Sequence, residues 1–360
     1  MDRISSDISL KNVSKVLIDW YMKNHRDLPW RKTNDPYLIW IAEVILQQTR
    51  VAQGIDYYNR FTSLFPDIQT LASAPPDDVM KVWQGLGYYS RARNLHEAAG
   101  YVVNNLDGKI PSTCAGLIKL KGIGSYIAAA IASFAFNERI PVIDANVIRF
   151  IARLAGIYST DRKNFTTIAR NMMAMSEPCL FNQAIMEFGA LQCIPGLPRC
   201  SDCPFSEKCY AYNHEKTDNL PLKKKRPVPG KRYFHYLVIR KPDGLVMKKR
   251  DKSDIWRGLY DFPLVETTRP VSIKKLQDDP AWKDICDHQK PFIIESTGVI
   301  RHVLTHQIIH AKFYLIDDHK DQIHLKNGYF KTSFKKAVSL PVPRLIENFI
   351  KKRAWWKHQI

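Results

Sequence analysis

The chain has 360 residues, a length that predicts two or three domains because one hydrophobic core seldom serves so long a sequence. Hydrophobic residues make up 45% and charged residues 25%, which excludes a disordered chain and a fibrous repeat. Lys and Arg number 54 against 35 Asp and Glu, and the net charge of +19 favours an anionic partner such as nucleic acid or an acidic membrane surface.

Membrane insertion and secretion are not expected. No apolar run approaches the roughly 18 residues that a membrane-spanning helix needs, and residues 1–15 are polar and of mixed charge. Seven cysteines are too few for a disulfide scaffold, and their odd number would leave one unpaired. We therefore expect a soluble protein in a reducing compartment.

Residues 1–212 are predicted to form an all-α domain, because apolar residues recur at three- and four-residue spacing between short breaks. In its segment Tyr37–Leu46, Glu43 is the one residue that is neither apolar nor aromatic. A helical projection that extends the buried face to Thr49 places Glu43 just beyond its edge, as a half-sheltered carboxyl. Partial burial raises a carboxyl pKa, so Glu43 is a candidate general acid. The alternative is a solvated glutamate on a helix rim.

Two alternating glycines, Gly122 and Gly124, interrupt the helical pattern. They permit a tight hairpin whose backbone N–H groups can approach a phosphate closely. The small-residue helix Ile127–Ala135 follows, and its amino terminus would direct its dipole towards the same phosphate. The pattern predicts a helix–hairpin–helix that contacts a phosphate through Gly122 and Gly124, and an ordinary interhelical turn is the alternative.

Asp144 follows the apolar run Ile140–Ile143 and precedes the helix predicted for Ala145–Leu154, where an N-cap belongs. N–H groups at a helix start both hold a carboxylate and favour its charged form. One neutral and one anionic carboxyl is the pair that hydrolyses a glycosidic bond through an oxocarbenium-like transition state. Glu43 and Asp144 are therefore candidate catalytic residues, if the fold brings them into one cleft.

Four cysteines lie close together with the spacing C-x6-C-x2-C-x5-C, namely Cys193, Cys200, Cys203 and Cys209. Four thiolates in one compact loop are the ligand set of a [4Fe-4S] cluster. Four-cysteine zinc sites usually use two C-x2-C pairs, and only Cys200 and Cys203 form one here. The spacing favours the iron–sulfur cluster, with zinc or four unrelated buried thiols as alternatives.

Residues 213–230 contain the basic run Lys223–Arg226 followed by Pro227 and Pro229, which predicts a linker. Residues 231–360 are predicted to form an α+β domain, because the hydrophobic period changes to two. Its predicted elements are a hairpin of Tyr233–Arg240 and Leu245–Lys249, strands near Gly298–Leu304 and His310–Ile316, and a helix near Pro343–Lys352.

These motifs together resemble the endonuclease III superfamily of base-excision DNA glycosylases, which have a helix–hairpin–helix domain with an iron–sulfur loop. Within it, the chain is similar to the MutY family of adenine glycosylases. The resemblance covers nearly the whole chain. Its matching segments are Leu28–Arg31, Ala42–Thr49, Gly85–Arg91, Leu120–Tyr126 and Phe181–Ala184, and later Gly258–Pro263 and His302–His306.

The resemblance implies a monomeric, monofunctional glycosylase of base excision repair, in the cytoplasm and associated with the nucleoid. It would hydrolyse the N-glycosidic bond of adenine mispaired with 8-oxoguanine, or with guanine, in double-stranded DNA. Glu43 would protonate the leaving adenine, and Asp144 would stabilise the cationic sugar. Tyr126 stands where bifunctional relatives carry a nucleophilic lysine, so Schiff-base lyase chemistry is expected to be absent or weak.

The same resemblance implies the substrate-binding residues. It assigns Trp30, Arg31 and Gln183 to the adenine pocket and Leu46 to substrate binding. Gln48 and Tyr88 are assigned to the wedge that fills the duplex after adenine is extruded. Thr305 and His306 are assigned to recognition of 8-oxoguanine. An aromatic ring and an amide can replace lost stacking and pairing, a cost of a few kcal/mol. Taken singly, Trp30 and Tyr88 are more often core aromatics.

Two positions depart from the family pattern. Ala145 stands where the family commonly has glycine after the catalytic aspartate, and Leu304-Thr305-His306 stands where it commonly has Phe-Ser-His. The second domain also resembles a Nudix fold, but the sequence lacks the G-x5-E-x7-R-E-x2-E-E run that holds catalytic metals. Nucleotide hydrolysis is therefore not expected.

Two other functions are compatible with parts of the pattern. One is a related glycosylase acting on mismatched thymine or oxidised pyrimidines, against which Tyr126 and the second domain argue. The other is a non-catalytic iron–sulfur protein that binds DNA or carries electrons. The presence of both Glu43 and Asp144 argues against that class.

Overall fold

A computed structural model describes residues 10–173, 176–222, 227–251, 254–326 and 328–352. They form two compact units. The first unit comprises the described residues of Met1–Ser73 and Asn94–Lys225, and the second unit comprises those of Ala74–Arg93 and Arg226–Ile360. The predicted domain boundaries, 1–212, 213–230 and 231–360, do not anticipate that Ala74–Arg93 groups with the later part of the chain. These boundaries remain predictions. The run Lys223–Arg226 of the predicted linker lies outside the described residues.

The part of the chain before the predicted linker is helical. Its helices are α1 (Leu10–Asn24), α2 (Pro36–Leu46), α3 (Val51–Leu64), α4 (Ile68–Ser73), α5 (Pro76–Val82), α6 (Ser90–Asn105), α7 (Cys114–Leu117), α8 (Ser125–Phe136), α9 (Ala145–Ala155), α10 (Arg162–Met173), α11 (Pro178–Leu191) and α12 (Tyr210–Asn213), with 3-10 turns at Pro29–Arg31 and Ser206–Lys208.

Helices α2 and α8 are the interior helices of the first unit. Both are apolar on nearly all sides, and a helix of that composition is stable only when neighbours surround it. Helix α2 begins at Pro36 after the N-cap Asp35, whose side chain accepts a hydrogen bond from the Tyr37 amide at 2.7 Å. It packs against α3 and α8. This packing buries Glu43 of α2 and leaves Tyr126 of α8 half-buried.

Helices α1, α9, α10 and α11 surround a second core of the first unit, which contains Phe150, Phe165, Phe181 and Phe188. The loop after α11 folds back onto this core through Phe205, whose ring lies 5.3 Å from that of Phe188. The predicted cysteine loop is therefore anchored on the same helices that carry Asp144 and Gln183.

The later part of the second unit is a mixed sheet with flanking helices. Its elements are β1 (Gly230–Lys241), β2 (Gly244–Lys249), β3 (Tyr260–Asp261), β4 (Leu264–Thr267), α13 (Ile273–Gln277), α14 (Pro280–Ile285), β5 (Ile293–Ser296), β6 (Ile300–Val303), β7 (Gln307–Asp317), β8 (Tyr329–Thr332), α15 (Phe334–Ser339) and α16 (Arg344–Lys351). The sheet order is β3-β2-β1-β7-β5, and β4, β6 and β8 pair with β1, β7 and β2.

The predicted hairpin is present as β1 and β2, which pair antiparallel with Lys241 opposite Gly244. Strand β1 also pairs in parallel with β7, from Gly230 opposite Gln307 to Arg240 opposite Asp317. Both faces of the sheet are covered, because α15 and α16 pack on one face and α13 and α14 on the other. Consecutive residues of β1 from Phe234 to Ile239 are therefore all buried.

Among the helices that the structure describes, none is long and apolar enough to cross a membrane.

Candidate active site

A cleft of about 240 Å³ lies within the first unit. Seven residues that the sequence singled out line it, namely Trp30, Arg31, Glu43, Leu46, Tyr126, Asp144 and Gln183. They come from α2, α8, α9, α11 and the 3-10 turn before α2. The fold thus brings Glu43 and Asp144 together, which spacing in the sequence could not show.

Glu43 is more buried than the sequence predicts. The side chain is not half-sheltered at a helix rim, because only 5% of the residue is exposed. Helix α2 ends at Leu46, so the helical projection does not extend to Thr49, and neighbouring helices cover α2 on several sides. Burial raises the pKa of Glu43 to about 7, although a hydrogen bond with Tyr126 opposes the shift. Glu43 can therefore hold a proton near neutral pH.

Asp144 caps α9 as expected. Its Oδ1 accepts a hydrogen bond from the Val147 amide at 2.7 Å, and its Oδ2 accepts one from the Asn146 side chain at 2.7 Å. Burial raises the pKa of Asp144 above its usual value, and these hydrogen bonds oppose that effect. The hydrogen bonds favour the charged form as expected, but burial outweighs them, so the net shift of the Asp144 pKa is upward and not towards the charged form.

Asn146 is a cleft residue that sequence reasoning missed. Its side-chain oxygen accepts a hydrogen bond from Arg149 at 2.8 Å, and Arg149 also donates to the Cys193 carbonyl at 2.7 Å. Because both ends of the Asn146 amide are engaged, its NH₂ group is fixed towards Asp144. A polar residue two positions after a candidate N-cap was the available signal.

Glu187 is a second missed residue, and it lines the cleft from α11. It is 1% exposed and accepts hydrogen bonds from the guanidinium groups of Arg26 and Arg31, at distances of 2.6 to 2.9 Å. Burial alone would raise the pKa of Glu187, but the two guanidinium groups outweigh it and lower the pKa to about 2. The signal was available, since Glu187 is the one charged residue in the segment Pro178–Leu191.

The other predicted pocket residues are held by neighbours. Trp30 is buried, and its ring meets the Tyr58 ring edge-on at 5.3 Å. The Oε1 atom of Gln183 accepts a hydrogen bond from the Tyr21 hydroxyl at 2.6 Å. These contacts fix an aromatic face and an amide at the wall of the cleft, where a planar base could stack and form hydrogen bonds.

The two predicted wedge residues share an unusual backbone. Gln48 of the first unit has a φ of 58°, and Tyr88 of the second unit has a φ of 47°. Residues other than glycine seldom adopt this left-handed conformation, and where they do, the strain often accompanies a functional position. Gln48 and Tyr88 are both exposed.

The glycine hairpin is present between α7 and α8. Gly122 has a φ of +79°, and a Cβ atom there would lie 2.6 Å from Cβ of Asn94, so this position requires glycine. Gly124 is the N-cap of α8 in extended conformation, with open space where a Cβ would be. Only Gly122 is therefore required by the backbone, while Gly124 leaves room for another molecule to approach.

Thr305 and His306 form the two-residue turn between β6 and β7. The turn is closed by a hydrogen bond from the Leu304 amide to the Gln307 carbonyl at 2.8 Å, and both turn residues are exposed. Leu304 packs against the core of the second unit. The Thr305 hydroxyl is hydrogen-bonded to the Tyr88 hydroxyl. The structure thus joins two predicted DNA-reading residues from distant parts of the sequence within one unit.

The four clustered cysteines line one cavity after α11, namely Cys193, Cys200, Cys203 and Cys209. None forms a disulfide. Arg153 fixes the start of this loop, because it donates hydrogen bonds to the Ile194 carbonyl at 2.8 Å and to the Leu220 carbonyl at 3.1 Å.

Comparison with known proteins identifies the family. Residues 41–174 match the HhH-GPD superfamily of base excision DNA repair proteins, and residues 235–352 match the NUDIX domain. An adenine DNA glycosylase of Buchnera aphidicola subsp. Acyrthosiphon pisum (strain APS) is 30% identical, covering 94% of this chain and 97% of its own length. The chain belongs to the adenine DNA glycosylase family.

Other members of the adenine DNA glycosylase family match shorter parts of the chain. The Arabidopsis thaliana protein is 35% identical over 74% of this chain and 49% of its own length. The Homo sapiens protein is 39% identical over 57% of this chain and 40% of its own length. The chain is therefore an enzyme, a base-excision DNA glycosylase that hydrolyses an N-glycosidic bond, as these relatives do.

Solved structures confirm the predicted fold class of the glycosylase domain. A thermostable thymine-DNA glycosylase is 28% identical with a TM-score of 0.54, covering 57% of this chain and 97% of its own. A trapped endonuclease III–DNA covalent intermediate is 19% identical with a TM-score of 0.52, covering 58% of this chain and 99% of its own. At this identity the similarity shows the fold alone. The NUDIX match and the mixed sheet confirm the second part of the prediction.

Proposed function

We propose that this adenine DNA glycosylase removes adenine mispaired with 8-oxoguanine, or with guanine, from double-stranded DNA, and that it acts as a monofunctional monomer. The observation that carries this proposal is the cleft, which is lined by the buried Glu43, by Asp144 at the N-cap of α9, by the Trp30 ring and by the Gln183 amide. A duplex conceals the glycosidic bond, so the adenine has to leave the base stack to enter such a cleft.

Glu43 acts as the general acid. Its burial keeps the proton on the carboxyl near neutral pH, and its place in the cleft allows proton donation to a ring nitrogen of the departing adenine. The Tyr126 hydroxyl is hydrogen-bonded to Glu43 and orients it. After the base has left, the Glu43 carboxylate can accept a proton from the attacking water.

Asp144 stabilises the positive charge that develops on the sugar. Its two oxygens are held by the Val147 amide and the Asn146 side chain, so the carboxylate does not have to reorganise during the reaction. No lysine is among the residues that line the cleft, so within the described part of the chain no amine is placed there to form a Schiff base.

The proposed function is tested by measuring which base is released, and from which duplex. Free adenine should appear, by chromatography, from duplexes with adenine opposite 8-oxoguanine and more slowly opposite guanine. The strand should break at the product site only after alkali treatment. Release of thymine or an oxidised pyrimidine instead, or strand cleavage without alkali, would contradict the proposal.

Recognition of the opposite base is assigned to Thr305 and His306. 8-Oxoguanine differs from guanine by an oxygen at C8 and a protonated N7, which a hydroxyl and an imidazole in an exposed turn can contact. We expect Thr305→Ala with His306→Ala to lower the preference for adenine opposite 8-oxoguanine over adenine opposite guanine. Each lost contact is worth about 1–3 kcal/mol. Competition between the two duplexes measures the preference.

The matched control for this double variant is Thr268→Ala with His324→Ala, which removes an exposed hydroxyl and an exposed imidazole elsewhere in the second unit. The control should keep the parental preference, and both variants should retain single-turnover excision at saturating enzyme. If the Thr305 and His306 variant also keeps the preference, the lesion is read elsewhere.

The cysteine loop is proposed to hold a [4Fe-4S] cluster through Cys193, Cys200, Cys203 and Cys209. The four thiols line one cavity, which is the ligand set that a [4Fe-4S] cluster requires. Zinc sites with four cysteines usually use two C-x2-C pairs, and this loop contains only one, Cys200 and Cys203. When bound, the cluster supplies a rigid cross-link for the loop.

Protein purified without air should therefore contain about four iron and four sulfide per chain and absorb visible light. Cys200→Ser should lower the iron content and destabilise the loop, because it removes one ligand. Cys286→Ser, at a buried cysteine of the second unit, is the control and should leave the iron content unchanged. Stoichiometric zinc without visible absorbance would rule out the cluster.

A further inference from the structure

A further cavity, of about 270 Å³, lies in the second unit between β6 and α16. Arg301 and Lys352 supply positive charge to its lining, and Thr297 and Asn348 supply neutral hydrogen-bond donors. The other described residues of the lining are Ile300, His302, Leu345 and Phe349, and none of the described lining residues is a carboxylate. A cavity with this lining fits an anion with several acceptor oxygens.

Within the part of the chain that the structure describes, the positive charge around this cavity is not neutralised by carboxylates. Among the described residues, neither Arg301 nor Lys352 forms an ion pair, and the same holds for Arg344 at the start of α16. The one carboxylate of α16, Glu347, is paired with Lys351. Other cations of the second unit, such as Arg232, are paired with carboxylates. The cavity therefore concentrates unpaired positive charge.

The cavity lies on the strand that leads into the Thr305–His306 turn. Arg301 precedes Thr305 by four residues, and a strand rises about 3.3 Å per residue, so the two are separated by about 13 Å. DNA carries one phosphate per about 3.4 Å along each strand. A DNA strand that meets the turn at the mispair and runs alongside β6 would thus place a phosphate a few nucleotides away at the cavity.

We infer that this cavity binds a backbone phosphate of the DNA strand opposite the adenine, a few nucleotides from the mispair. The inference rests on the proposed function, which places the Thr305–His306 turn against that strand. Arg301 and Lys352 neutralise the phosphate, and Thr297 and Asn348 donate hydrogen bonds to its oxygens. Such a contact carries no sequence information but fixes the position of the turn along the strand.

The test is the salt dependence of duplex binding by Arg301→Gln with Lys352→Gln. The slope of log affinity against log salt should become shallower by about 0.9, the value for one phosphate contact. The charge-conserving pair Arg301→Lys with Lys352→Arg should keep the parental slope. Lys274→Gln with Lys275→Gln, on α13 at the other face of the sheet, removes the same charge and should also keep it. A slope unchanged in the Arg301 and Lys352 variant would overturn the inference, as would equal losses in the α13 control.

Neutral methylphosphonates, placed one at a time along each strand, locate the contact. A methylphosphonate at one position of the strand opposite the adenine should weaken binding by the parental protein. The same substitution should have no effect on binding by the Arg301→Gln, Lys352→Gln variant. A sensitive position only on the adenine strand would refute the assignment. Phosphate contacts do not depend on the base pair, so the slope is also measured on an undamaged duplex. If the parental protein shows no preference for 8-oxoguanine but the Arg301→Gln, Lys352→Gln variant still has the shallower slope on the undamaged duplex, the result would count against the proposed function alone.

Discussion

Glu43→Gln is expected to abolish adenine excision while DNA binding is retained. Glutamine keeps the size and most of the hydrogen-bonding shape of the side chain but cannot donate the proton that the leaving adenine needs. General acid catalysis typically contributes about 10²- to 10⁴-fold, so the single-turnover rate should fall by at least this factor. Quenched-flow measurement of base release, with binding measured by fluorescence anisotropy, separates the two properties.

Glu215→Gln is the matched control, because Glu215 is an exposed glutamate of the same unit outside the cleft. It should excise adenine at the parental rate. Comparable excision by Glu43→Gln and the parental protein would remove Glu43 from the mechanism, whatever its burial.

Asp144→Asn is expected to have the second largest effect. The amide is neutral, so it cannot stabilise the cationic sugar, and its NH₂ group would face the donating amide of Asn146. We expect single-turnover excision to fall about as far as in Glu43→Gln. Because one cap acceptor is also lost, the free energy of unfolding should decrease by about 1 kcal/mol.

Urea unfolding and single-turnover kinetics together distinguish the two roles of Asp144. A large loss of rate with a small loss of stability indicates catalysis as well as capping. A folded Asp144→Asn protein with full activity would leave only the cap.

The sequence predicts the chemistry of the cleft better than its geometry. Glu43 stands out because it is a lone carboxyl in an apolar segment, and Asp144 because it lies between an apolar run and a helix. That both line one cleft depends on the packing of α2, α8 and α9, which local patterns do not encode. The burial of Glu43 is underestimated for the same reason, since a projection of one helix ignores the neighbouring helices.

Other features depend on contacts between residues far apart in the sequence. The pairing of Glu187 with Arg26 and Arg31 links positions more than 150 residues apart. Ala74–Arg93 belongs to the second unit because Asp77 of α5 accepts hydrogen bonds from Lys249 at 2.6 Å and from Tyr260 at 2.7 Å. The helical periodicity of this segment reveals its secondary structure but not its partner.

The pH dependence of single-turnover adenine excision tests most directly whether a buried, protonated Glu43 performs the chemistry. The pKa of Glu43 is raised to about 7, so the protonated fraction is high below that pH and falls above it. The rate on a duplex with adenine opposite 8-oxoguanine should change little just below pH 7 and fall tenfold per pH unit well above it. At acidic pH the rate should fall again, because Asp144, whose pKa is raised by burial, gains a proton there and no longer stabilises the cationic sugar. A rate that rises through pH 7, or stays constant well above it, would contradict the mechanism.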